Sequence, residues 1–146
     1  MASKAQLETL MDLARRETDD AAKRLGVALR AVEEARQKHE MLVGYREEYF
    51  KRFEAAQAAG ITPVAYRNFV AFIEKLETAV KGQMDLIKHA EHRSEQEKLA
   101  WQASERKRMS YSTLNDRADA AALQLENKRD QKQMDEHAAR QAYYKR

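Results

Sequence analysis

Ala58-Ala59-Gly60-Ile61-Thr62-Pro63 is the stretch that decides how this chain folds. Gly60 suits the left-handed position that ends a helix, Thr62 can cap the next helix with its hydroxyl, and Pro63 fits that helix's first position. The stretch contains the chain's only proline, and no other segment reads as a clear turn. Apolar periodicity runs away from it in both directions. The expected fold is therefore all-α: an elongated, antiparallel two-helix coiled-coil hairpin with a longer second arm. It forms a single coiled-coil domain over 1–146, with arm 1 about 4–58, the turn at 59–63 and arm 2 about 64–143.

Toward the N-terminus, Ser3 and Gln6 have the spacing of a capping box, which starts the first arm just before Leu7. Steps of seven from Leu7 meet Ala14, Ala21, Ala28, Ala35, Leu42, Tyr49 and Ala56, and Leu10, Leu25, Val32, Tyr45 and Phe53 supply a less regular partner row. A heptad stripe with charged flanks is the pattern of a coiled coil. Beyond the turn a second stripe runs through Tyr66, Phe69, Ile73, Leu76, Val80, Ile87, Ala90, Ser94, Trp101, Met109, Tyr111, Leu114, Ala118, Ala121 and Leu125. Its spacing wavers between Ser94 and Met109, which predicts a local change of register there.

Arms of unequal length cannot pair completely. Counting backwards from the turn, residues whose numbers sum to about 121 lie side by side, so Leu7 falls opposite Leu114. Everything after roughly Asp116 then lacks an intramolecular partner, yet Ala118, Ala121, Ala122, Leu125, Met134, Ala138 and Ala142 keep helical spacing. Such a helix presents an uncovered face to another molecule.

Composition agrees with few, long helices. The 146 residues are 35% charged and include only four glycines, and the mean hydropathy is −0.85. Much of the 43% hydrophobic share is alanine, which buries little area per residue, so a narrow seam is expected in place of a globular interior. The net charge of +3 arises from 27 basic residues interleaved with 24 acidic ones. That mixture gives no basic block for nucleic acid. Cysteine is absent, which removes disulfides, thiol catalysis and Cys-ligated zinc. No run approaches the roughly 18 apolar residues of a membrane span, and the N-terminus lacks a signal-peptide layout. A cytoplasmic protein without direct membrane insertion is expected.

Catalytic constellations are missing: there is no Gly-rich phosphate loop, and no nucleophile is paired with a base. His89 and His92 share a helix face with Glu91 and Glu95 close by, but in so polar a chain they read as solvated side chains. His39 and His137 stand alone. No catalytic residue, metal or cofactor is expected, and the chain reads as a non-enzyme.

The aromatic residues are more informative. Tyr45, Tyr49, Phe50, Phe53, Tyr66, Phe69 and Phe72 all lie near the turn. Phe72, Leu76, Ala79 and Gln83 form a stripe offset from the seam row of arm 2, and Lys38, Leu42, Tyr45 and Tyr49 repeat the spacing on arm 1. The two stripes pair across the hairpin, either as a partner-binding surface or as an overfilled seam. Spacing leaves both open. The tail, Leu125 to Glu136, is dense in both charges and reads either as a solvated face or as a charged shaft entering a protein ring.

Together these segments resemble a known family, the flagellar type III export protein FliJ. The resemblance runs through Leu7-Glu-Thr-Leu10, Asp12-Leu13-Ala14, Asp19-Asp20-Ala21-Ala22, Met41-Leu42, Tyr45, Glu48-Tyr49, Phe72-Ile73, Leu76-Glu77 and Ala79. It continues to Glu126-Asn127, Asp130-Gln131-Lys132 and Met134-Asp135-Glu136. It implies a stalk-like, non-enzymatic component of flagellar protein export, similar to the central stalk of rotary ATPases. Such a protein inserts in the hexameric ring of the export ATPase FliI and promotes its assembly and activity. It binds the linker of the membrane export-gate protein FlhA, and escorts export chaperones such as FlgN and FliT. The expected place is the cytoplasmic face of the inner membrane at the flagellar base, held peripherally. The resemblance assigns gate binding to Leu42, Tyr45, Tyr49, Phe72, Leu76 and Ala79, while Lys38 and Gln83 depart from the family's pattern. It assigns ring binding to the chain ends, at Leu7, Leu10, Leu13, Leu125, Glu126, Asp130, Gln131, Lys132, Met134 and Asp135. The rival readings are a coiled-coil scaffold or adaptor without an ATPase partner, and the stalk protein of a virulence-type injection system.

Overall fold

The computed structural model describes residues 3–145. Two α-helices account for nearly all of them: α1, Lys4–Ala59, and α2, Pro63–Tyr144. Local chemistry explains each boundary. The Ser3 amide donates to Gln6 Oε1 at 3.0 Å and the Gln6 amide to Ser3 Oγ at 3.2 Å, a reciprocal cap that starts α1. Gly60 ends that helix at φ 91°, a left-handed conformation that a Cβ disfavours. Thr62 Oγ1 accepts from the Ala65 amide at 3.1 Å, and Pro63 opens α2 where no amide hydrogen is needed. The result is an all-α two-helix hairpin, 56 residues against 82.

The chain forms two compact units, Asp20–Trp101 and Met1–Asp19 with Gln102–Arg146. In the first, α1 buries Ala21, Ala28, Val32 and Phe53, and α2 buries Val80 and Gln83. The seam row of α2 there is Phe69, Ile73, Leu76, Val80, Gln83, Ile87, Ala90, Ser94, Glu97 and Trp101, an unbroken alternation of fours and threes. Ion pairs stitch the helices at the rim: Arg36 Nη2 lies 3.0 Å from Glu91 Oε1, and Arg24 Nε 3.4 Å from Glu97 Oε2. In the second unit Leu7 and Ala14 are buried, and Thr18 is buried with its hydroxyl donating to the Ala14 carbonyl at 2.9 Å. The facing row on α2 is Ser104, Arg108, Tyr111 and Asn115, with Lys107 to Glu17 at 3.6 Å and Lys4 to Asp119 at 3.3 Å. Asn115 Oδ1 is buried there without a hydrogen-bond partner.

Three seam expectations are corrected. Between Ser94 and Met109 the register does not change: Arg108 takes the seam position, and Met109 is 56% exposed. Likewise Asn115, not Leu114, faces the first helix, and Arg46, not Tyr45, continues the partner row of α1 beside Thr18 and His39. In each case the heptad count wins over the nearest apolar residue. An arginine can lay its aliphatic stem along the seam while its guanidinium reaches water.

Every described residue from Asp116 onward is exposed, although α2 continues as helix to Tyr144.

Candidate functional site

In the unit Asp20–Trp101 the turn brings the aromatic residues of both helices together. Phe53 is 9% exposed, and its ring centroid lies 5.3 Å from Phe69, 5.5 Å from Tyr66 and 6.3 Å from Phe50. Tyr49 continues the chain of rings, 5.3 Å from Phe69 and 4.4 Å from Phe72, both in tilted arrangements that aromatic quadrupoles favour. The stack ends in the open. Phe72 is 45% and Tyr45 53% exposed, so rings supported from below present apolar area to solvent.

These two residues, with Tyr49, Leu76, Glu48 and Arg52, line a groove of about 320 Å³. Four of the six residues the resemblance assigns to gate binding thus meet in one concavity; Leu42 is half-buried, and Ala79 is exposed. The sequence reading missed Glu48 and Arg52, whose carboxylate and guanidinium pair at 3.2 Å on the groove's edge. Their i,i+4 spacing around Tyr49 is the signal that could have found them. The stripe also ends differently from expectation. Gln83 is only 5% exposed, and its Nε2 donates to the Ala35 carbonyl at 3.0 Å across the hairpin. It belongs to the seam, while Lys38 stays exposed.

The residues assigned to the ring lie in the other unit. Leu7 is 7% exposed and spent in the helix pair, and Leu10 is half-buried. Leu13 at 52%, Leu125 at 55% and Met134 at 68% are open, as are Glu126, Asp130, Gln131, Lys132 and Asp135. Intrahelical contacts hold this part of the tail, such as Gln131 Nε2 to Asp135 Oδ1 at 3.3 Å and Arg140 to Glu136 at 3.9 Å. From Glu126 to Gln133 there is no apolar residue, so this segment presents charged and hydrogen-bonding side chains.

Electrostatics elsewhere are mild. Hydrogen bonding from Arg108 holds the Glu105 carboxyl below the ordinary glutamate range, and the same bond raises Arg108 further. His92 contacts Gln96 at 3.2 Å, and among the described residues no group of three potential metal ligands converges. Among them, too, no helix is long and apolar enough to cross a membrane.

Comparison with known proteins gives one consistent result. A family profile described as "Flagellar FliJ protein" matches residues 3–146. The chain is 36% identical over 145 residues to the Flagellar FliJ protein of Salmonella typhi, covering 99% of each chain. It is 34% identical, with the same coverage, to that of Escherichia coli strain K12. A match that spans both helices, the turn and the exposed tail places this chain in the family of flagellar FliJ proteins.

Proposed function

We propose that the protein is a non-enzymatic, stalk-like component of flagellar type III protein export. Its exposed tail seats in the ring of the export ATPase FliI, promoting ring assembly and ATP turnover without contributing a catalytic group. Its aromatic groove holds the linker of the export-gate protein FlhA at the cytoplasmic face of the inner membrane, and the protein escorts chaperones such as FlgN and FliT.

The observation that carries this reading is the run of helix from Asp116 to Tyr144 with no residue covered. An isolated helix of that length is marginal in water, so a partner that sheathes it offsets the cost of holding it straight. A scaffold that dimerises through the tail would need an apolar seam, and the eight polar residues from Glu126 to Gln133 interrupt one. Truncation after Asp116 tests the reading. Copurification with FliI and stimulation of its ATPase are expected to disappear, while the remaining hairpin keeps its helicity; undiminished stimulation would refute the placement of the tail in the ring.

A further inference from the structure

A second groove in the unit Asp20–Trp101, about 450 Å³, is formed by Lys23, Arg24, Val27 and Ala31 of α1 with Arg93 and Glu97 of α2. Its floor is apolar, with Val27 59% exposed. Its rim is cationic: Glu97, whose side chain is only 16% exposed, is shared by Arg24 at 3.4 Å and Arg93 at 3.5 Å. One carboxylate between two guanidiniums leaves positive charge uncompensated, and Lys23 adds to it. Asp20 and Glu34 bracket the window along α1, so the cationic stretch is short and matches one or two carboxylates, not a polyanion.

The position of this groove is as informative as its chemistry. Arg24 and Tyr45, Ala28 and Tyr49, Phe72 and Arg93, and Leu76 and Glu97 are each separated by three full heptads. The seam row of α2 keeps strict heptad spacing throughout this unit. Both grooves therefore open on the same face of the helix pair, and Lys38, Leu42, Ala79 and Leu86 lie on the heptad columns that join them. Leu86 is 54% exposed and extends the apolar path between the two.

We propose that the polypeptide seated in the aromatic groove continues along this face, placing an apolar side chain on Val27 and Ala31 and one or two carboxylates among Lys23, Arg24 and Arg93. The inference rests on the reading of the aromatic groove given above. Three heptads correspond to ~32 Å of helix, so the occupant spans it with about twenty helical residues or about ten extended ones. Charge complementarity at the far groove sets orientation and encounter rate, whereas the aromatic groove supplies the anchor.

The test uses the full chain and the soluble region of FlhA with its linker as the probe, with binding followed at low and high salt. Lys23→Glu with Val27→Glu changes two exposed side chains outside the seam, and its melting is checked first. Binding is expected to weaken about tenfold or more, with a shallower salt dependence; Phe72→Ala with Leu76→Ala is expected to abolish it. If the tip pair abolishes binding while the Lys23/Val27 pair leaves it within about twofold, the continuation is wrong and the aromatic-groove reading stands. If the tip pair leaves binding intact, the aromatic-groove reading fails, and the continuation that rests on it is overturned with it. A second measurement does not depend on those substitutions: because the chain has no cysteine, an environment-sensitive dye on Val27→Cys reports cover directly. Its emission should shift on binding while a dye on Leu29→Cys, outside the groove, does not; equal responses would overturn the proposal.

Discussion

Gln83 and Ala35 are joined across the hairpin by one hydrogen bond, from the side-chain amide to the backbone carbonyl, in a position nearly closed to water. The carbonyl keeps its place in the α1 ladder, so the amide adds a bond without taking one away. Gln83→Ala is expected to lower unfolding free energy by about 1–2 kcal/mol, through the lost bond and the space left behind. Gln83→Leu should cost less than that, because apolar contact replaces the bond. Denaturant titration separates the two, and neither should change binding at the aromatic groove.

Phe53 and Phe72 touch the same ring cluster but differ in cover, and substitution should reflect the difference. Phe53→Ala removes a nearly buried ring and is expected to destabilise by about 3 kcal/mol. Phe72→Ala, with almost half the side chain already open, should cost about 1 kcal/mol and leave the circular-dichroism spectrum unchanged. Equal losses of stability would make Phe72 a core residue and remove the case for a docking groove.

At the turn, a methyl group added to Gly60 would meet no atom within 4 Å, so a larger residue fits in space. The left-handed backbone is what resists it. Gly60→Ala is expected to lower stability by about 1–2 kcal/mol, measured by thermal or chemical unfolding, with no loss of helix content.

Glu105 has a carboxylate whose titration is displaced downward, by its bond to Arg108. A depressed folded-state value gives stability that is present above the unfolded glutamate range and is lost as pH falls through the folded value. Glu105→Gln should therefore melt slightly lower than the parent near neutral pH, and the two curves should converge in acid as pH falls from the unfolded glutamate range through the lower folded value. The pair is only half-buried, so water screens it and the separation is small; a gap that widens in acid would contradict the assignment.

Removing everything after Asp116 deletes no buried residue among those described and breaks one exposed ion pair, Lys4 with Asp119. Such pairs contribute at most about 1 kcal/mol. The shortened chain should unfold at nearly the same denaturant concentration, with loss of only the helical signal that belongs to the tail.

The turn was legible because Gly60, Thr62 and Pro63 each serve a different backbone requirement, and the cap at Ser3 and Gln6 because both partners are local. The alanine row of α1 was legible for the same reason that it packs: one small residue every seventh position. The seam of α2 beyond Ser94 was not. Glu97, Arg108 and Asn115 occupy it because the helix pair keeps its phase, and a search for apolar residues slides to Met109 and Leu114. Four residues of the aromatic groove were read from spacing and resemblance, while Glu48 and Arg52 looked like ordinary surface charges until Tyr49 lay between them. The second groove left no trace in the sequence, since Lys23 and Arg93 become neighbours only through pairing.

The alanines at 21, 28 and 35 have a further consequence. Each contributes a single methyl to its layer, on the order of 1 kcal/mol when covered, against two to three times that for a phenylalanine. Cohesion within Asp20–Trp101 is accordingly graded, firm where the rings interlock and slack where the methyls meet. Amide exchange should run slowest around Phe53 and Phe69 and quicken toward Ala28, so the zipper opens first at its thin teeth.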